Sequence, residues 1–359
     1  WAGRGNSGHR RVDYFIGSSA AGRSYLTVRD GFLYQAPITW YAQAGRWDVS
    51  PGYENDRGAR WTRAIEPNCL YCHASQPQPI YGTQNRYAEP PFRQNGVGCE
   101  RCHGPGSEHA AGRGRMVNPA RLPAASRDAV CQQCHLSGEA RIERPGKLLA
   151  QYRPGEELTE YVDYFVLEGG QSAGLKATSH VEKLDASRCR TASFDRLWCG
   201  TCHDPHRVPA ESEKAGWFRG KCLSCHRQTE CERGPDCISC HMPRTRVVDG
   251  GHGVLTDHSI PRNQRSASGT VTEPAGGRTG WRLVPYPGSE ATPRGLGLAY
   301  AEVSLRRDDR RQQEEALRLL SGVPADRDVL VRLADLHSRA GAAGRAESLY
   351  EKALQANPH

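Results

Sequence analysis

Long apolar runs, lysine and methionine are what this 359-residue chain has least of. No stretch is apolar over a membrane-spanning length, so no membrane-spanning helix is expected in it. Apolar residues make up only 37%, and 39 Gly and 23 Pro interrupt them throughout. A large side-chain core built from long helices or sheets is therefore not expected. Of the 48 basic residues six are Lys and 42 are Arg, giving a formal charge of +8. The Arg are scattered among acids rather than gathered in a stripe, which argues against a nucleic-acid partner. Methionine is limited to Met116 and Met242. The chain opens at Trp1 without the charged, apolar and small-residue segments of a secretion signal, so a processed or truncated N-terminus is expected.

Cysteine, by contrast, is abundant and patterned. Twelve of the 14 Cys fall in six copies of C-x-x-C-H: Cys69, Cys72, His73; Cys99, Cys102, His103; Cys131, Cys134, His135; Cys199, Cys202, His203; Cys222, Cys225, His226; and Cys237, Cys240, His241. This is the attachment signature of c-type haem. The two thiols bond to the vinyl-derived carbons of one porphyrin edge, and the adjoining His supplies the proximal nitrogen to iron. Zinc or disulfide pairs would not need a His directly after the second Cys. Six covalent haems are thus expected to serve as the core, and their propionates give the many Arg a carboxylate partner. Attachment takes place outside the cytoplasm, where disulfides also persist, so the two remaining cysteines, Cys189 and Cys231, are expected to form a bridge.

The expected fold is mostly irregular and loop-rich, built around the haems, with a small N-terminal β unit and a C-terminal α-helical hairpin. Residues 1–60 form the β unit. Asp30-Gly31 and Ala44-Gly45 mark two hairpins within it, and Trp40, Trp47 and Trp61 are expected to cover the first haems rather than to bind carbohydrate. Residues 61–260 carry the motifs, whose starts lie 30, 32, 68, 23 and 15 residues apart, giving two groups of three at 69–135 and 199–241. The long gap, 136–198, reads as a loop or small subdomain between the groups. Residues 261–298 read as a Pro- and Gly-rich linker or arm. In 299–359, Leu330, Leu333, Ala334, Gly341, Ala346, Tyr350 and Ala353 fall at tetratricopeptide spacing. A single repeat cannot bury its own faces, so docking on the haem region or further repeats beyond His359 are expected.

Function turns on the far side of each iron. Eight His lie outside the motifs, and His337 and His359 fall in the helical tail. Six candidates remain for six irons: His9, His109, His180, His206, His252 and His258. His206 follows His203 by three residues, a reach of about 10 Å, which is too short to round a macrocycle, so it is expected to ligate a neighbouring haem. His109, six residues after His103, is expected to do the same. Bis-histidine iron moves electrons and has no open coordination site.

With the motifs placed, the chain resembles the multihaem cytochromes c that carry C-terminal tetratricopeptide repeats, and more distantly the cytochrome c554-like group. The resemblance runs through most of residues 12–260 and the tail. It rests on Gly17-Ser18, Ser24-Tyr25-Leu26, Ser50-Pro51-Gly52-Tyr53, Cys102-His103-Gly104-Pro105-Gly106 with His109, Cys202-His203-Asp204-Pro205-His206, Cys240-His241-Met242-Pro243 and Thr256-Asp257-His258. It implies that His109, His206, His252 and His258 are distal ligands and that the protein transfers electrons outside the cytoplasm, periplasmic or at the cell surface. Such proteins begin with a further C-x-x-C-H before the β unit, which this sequence lacks. Three functions compete. The first is an electron conduit serving other redox proteins or extracellular acceptors, extending to a filament in which His9 reaches a neighbouring subunit. The second is a multihaem reductase or oxidase of small nitrogen or sulfur species, which needs an open iron. In the third, the tail docks protein partners as an accessory role.

Overall fold

The computed structural model describes residues 2–3, 6–7, 9–18, 21–53, 61–80, 82–170, 174–227, 234, 236–262 and 281–356. The chain divides into two compact units, residues 1–114 with 246–255 and residues 115–245 with 256–359.

In the first unit, β1 (Tyr14–Ser18), β2 (Gly22–Arg29), β3 (Phe32–Tyr41) and β4 (Arg46–Val49) form an antiparallel meander, and β5 (Arg63–Ala64) joins β3. Asp30 and Gly31 both have positive φ, 52° and 81°, as a two-residue hairpin with right-handed strand twist requires. The second expected hairpin is also present, with Ile38 opposite Val49 and Tyr41 opposite Arg46. One sheet face packs Leu26 and Leu33 on Ile65, Leu70, Ala74, Tyr87 and Phe92. These come from α1 (Pro67–His73), β6 (Ala74–Pro79) and β7 (Tyr87–Asn95) with the segment just before α1. Pro67 suits the first helical turn, where its missing N–H costs nothing. Trp40 and Trp47 are not part of this core. Ile38 and Trp40 alternate with buried Thr39 and Tyr41, so Trp40 and Trp47, 5.5 Å apart, lie on the outer face, and Trp47 stays 53% exposed. Two short helices follow, α2 (Glu100–His103) and α3 (Ser107–Ala110).

The second unit opens with α4 (Ala124–His135) and then β8 (Ala140–Glu143) and β9 (Val162–Leu167). Four short helices follow: α5 (His180–Asp185), α6 (Arg188–Ser193), α7 (Cys199–Cys202) and α8 (Lys214–Leu223). After them come α9 (Cys237–His241), β10 (Leu283–Pro285), α10 (Pro293–Arg307), α11 (Arg310–Leu320), α12 (Arg327–Arg339) and α13 (Ala343–Ala356). Strands β8, β9 and β10 make an antiparallel sheet in that order, with Ala140 and Pro285 both paired to Phe165. On it sits a core of Phe165, Leu167, Leu283, Leu298, Val303, Leu320, Val329 and Leu336. Gly297 lets α10 and α11 approach closely, since a Cβ there would lie 2.7 Å from Leu320 Cδ2.

Three expectations of organisation change. The 136–198 segment is neither a loop nor a subdomain of its own, because its strands β8 and β9 form one sheet with β10. Residues 263–280 of the expected linker lie outside the described residues, but 283–285 form a strand and α10 starts at Pro293. The motifs divide as two and four, not three and three, because the first two lie with the β meander and the other four lie in the unit containing the helical tail.

Candidate haem-binding sites

Each C-x-x-C-H closes a helical turn. Motifs 1, 3 and 6 end α1, α4 and α9. In motifs 2, 4 and 5 the N–H of His103, His203 and His226 donates to the carbonyl of the first Cys at 2.9 Å each. Spacings of three and four residues bring both thiols and the imidazole to one side of that turn, as attachment to one porphyrin edge demands. None of the thirteen described cysteines is joined to another in a disulfide. Cys231 lies outside the described residues, and with it the expected bridge to Cys189.

Within each unit the motifs lie close to one another in sequence order. In the first unit, the Arg101 guanidinium of motif 2 lies 4.2 Å from the centre of the Tyr71 ring of motif 1 and donates to the Ala74 carbonyl at 3.3 Å. In the second unit, a hydrogen bond from Cys131 of motif 3 holds the Cys199 thiol of motif 4 below its ordinary pKa. Burial pushes Cys202 up, with a further push from neighbouring Cys189. The Cys222 thiol is raised to about 11 by burial and by its neighbours Cys237, Cys202 and Cys189, which joins motif 5 to motifs 4 and 6.

These residues fit a large apolar group. Helices α7, α8 and α9 contain no buried side chain, and helices of four to ten residues are not stable in water on their own. His135 and His203 each keep an exposed face while surrounding protein desolvates the ring and lowers its pKa, the signature of a ring in the wall of a concavity. Among the described residues no group of three or more His, Cys, Asp or Glu is arranged to hold a metal ion. The donor set suits haem c, which when bound supplies a one-electron iron couple.

The six further histidines are placed very differently. His180 and His258 join two motif histidines in a row of rings. His135 stacks on His180 at 5.3 Å, His180 meets His258 at 4.9 Å, and His258 meets His203 at 6.1 Å. Burial and the neighbouring imidazoles lower the His180 pKa to about 3, so the ring is neutral. Nδ1–H of His258 donates to the Thr256 carbonyl at 3.0 Å, and His241 does the same to Pro261 at 2.9 Å. A backbone acceptor on Nδ1 fixes the tautomer and leaves Nε2 with a free lone pair for metal. His109 is exposed, with Nδ1 3.3 Å from the Gly114 carbonyl. His206 is also exposed, 3.6 Å from Asp204. His252 has the opposite arrangement, its Nε2 lying 2.9 Å from both Asp48 and Arg46. His9 is exposed.

Sequence reading missed the residues that fix this geometry. Glu182 accepts the backbone N–H groups of Ser137 and Gly138 at 3.2 and 2.6 Å, tying α5 to the chain just after motif 3. Arg190 and Arg127 pair with half-buried Asp128, which lies near Cys199. A Glu in a polar segment carries no signal of such a role, because its partners are backbone groups distant in sequence.

The family described as cytochrome c554 and c-prime matches residues 49–104, which hold the first two motifs. No curated protein matches the chain. The crystal structure of the outer cell wall cytochrome OcwA is similar with a TM-score of 0.44 and 14% identity, covering 95% of this chain and 86% of that one. Motif chemistry and family match agree, and the chain resembles the multihaem c-type cytochromes of the cytochrome c554 group.

Proposed function

We propose that the chain is an extracytoplasmic hexahaem cytochrome that conducts electrons through bis-histidine sites. The observation that carries this reading is the proximity of motifs 3 to 6: His180 and His258 stand between the motif rings His135 and His203, and α7 packs on α8 and α8 on α9, which carry residues of motifs 4, 5 and 6. Residues that hold successive redox centres in contact keep each electron-transfer step short. His180 and His258 add ligands to this series, and His9, His109, His206 and His252 complete the count. His9, exposed on the first unit, is the ligand offered to a neighbouring copy in a filament. The helical tail is the surface for protein partners.

A reductase or oxidase of small nitrogen or sulfur species is the second reading. It is favoured by His252, whose Nε2 is engaged by Asp48 and Arg46, leaving one fewer free imidazole than irons. Low-temperature electron paramagnetic resonance of the oxidised holoprotein, with spins counted against total haem, separates the two. The conduit requires all iron low-spin. A high-spin signal amounting to one haem overturns it in favour of the enzyme, to be assayed first with nitrite and hydroxylamine.

A further inference from the structure

We infer that His180 is the distal ligand of the iron held by motif 3, and His258 that of the iron held by motif 4. This pairing rests on the bis-histidine reading and names which residue serves which site. Four rings stand in the order His135, His180, His258, His203, at successive separations of 5.3, 4.9 and 6.1 Å. The outer two are fixed as proximal by their motifs, so each inner ring adjoins one proximal ring. His180 stacks on His135 with 18° between the ring planes, whereas the ring adjoining His203 is His258.

Three anchors hold the inner rings on their own sides. Glu182, on the same helical turn as His180, grips the N–H groups of Ser137 and Gly138, two and three residues past His135. That clamp commits α5 to motif 3. His258 is set by Nδ1–H to the Thr256 carbonyl and by the Asp257 N–H to the Pro243 carbonyl at 3.0 Å. The first of these leaves its Nε2 lone pair free. His180 Nδ1 is buried without a hydrogen-bond partner among the described residues. A buried ring nitrogen left unpaired is costly, and it marks a histidine kept for something other than hydrogen bonding. Chain reach agrees, since His206 is too near His203 to serve motif 4.

The test counts high-spin iron in the holoprotein, as increments over wild type, so a high-spin background in wild type defeats the conduit without touching the pairing. His180→Ala and His258→Ala are each expected to add one haem of high-spin iron, and the double variant two. Added imidazole should restore low spin, which shows that the fold has survived. Assignment comes from combination with the proximal residues. His135→Ala with His180→Ala alters one haem, and His203→Ala with His180→Ala alters two. The pairing is overturned if the His203→Ala, His180→Ala protein alters only one haem, or if His180→Ala leaves all iron low-spin. His258→Ala behaving as a partner of His135→Ala overturns it equally.

Discussion

The second unit contains two regions that hold together by different means. Around the β8–β9–β10 sheet, α10 to α12 bury Leu298, Val303, Leu320, Val329 and Leu336 against Phe165 and Leu283, and their side chains account for their own packing. Helices α7, α8 and α9 have no fully buried side chain, and α7 and α9 consist of attachment motif alone. One region is specified by its apolar residues and the other by what its cysteines bind. A low overall apolar fraction therefore does not mean a uniformly weak core.

The strongest way to break this contrast is to prevent attachment at motifs 4, 5 and 6 by replacing their six cysteines with Ala. Amide hydrogen exchange should then show residues 199–241 losing protection almost completely, while 293–353 keep theirs. Parallel loss in both regions would mean that the tail also depends on haem. A smaller effect acts from the other side. Phe165→Ala removes a ring with 0% exposure at the centre of the sheet and should cost about 3–5 kcal/mol in the tail's unfolding. Haem spin state should stay unchanged, and a change would show that the two regions are not independent.

The smallest effect sharpens the comparison at one helix end. Asp326 caps α12 by accepting from the Val329 N–H at 3.1 Å and pairs with Arg294 at 2.5 Å. Desolvation pushes its carboxyl up, but Arg294 and the cap hydrogen bonds outweigh this and hold its pKa below the ordinary value. A lowered folded pKa stabilises above the unfolded value, near 4, and that contribution is lost as pH falls through the folded value. Asp326→Ala should cost about 1 kcal/mol at neutral pH in thermal unfolding of the tail and flatten its acid limb. An unchanged acid limb would assign that dependence to other carboxylates.

Legibility in the sequence followed the same divide. The hairpins at Asp30-Gly31 and Ala44-Gly45 were readable because turn chemistry and strand alternation lie within a few residues of each other. Motif positions were readable because covalent attachment fixes spacing. The sheet of the second unit was not, since Val162–Leu167 is buried almost throughout, shows no alternation, and pairs with Leu283–Pro285 far along the chain. The histidine row was half legible. Counting gave His180 and His258 as candidates, but only the fold shows them between His135 and His203. By the same token, counting could not see that Asp48 and Arg46 occupy Nε2 of His252.

Residues 246–255 belong to the first unit, while the chain on either side of them belongs to the second. Neither unit is consequently a single continuous piece of polypeptide. A gene fragment ending at residue 114 would encode the meander and both of its motifs but not residues 246–255, which carry His252. Exchange of units between related genes would need three crossovers instead of one. An interleaved chain of this kind is exchanged whole more readily than unit by unit.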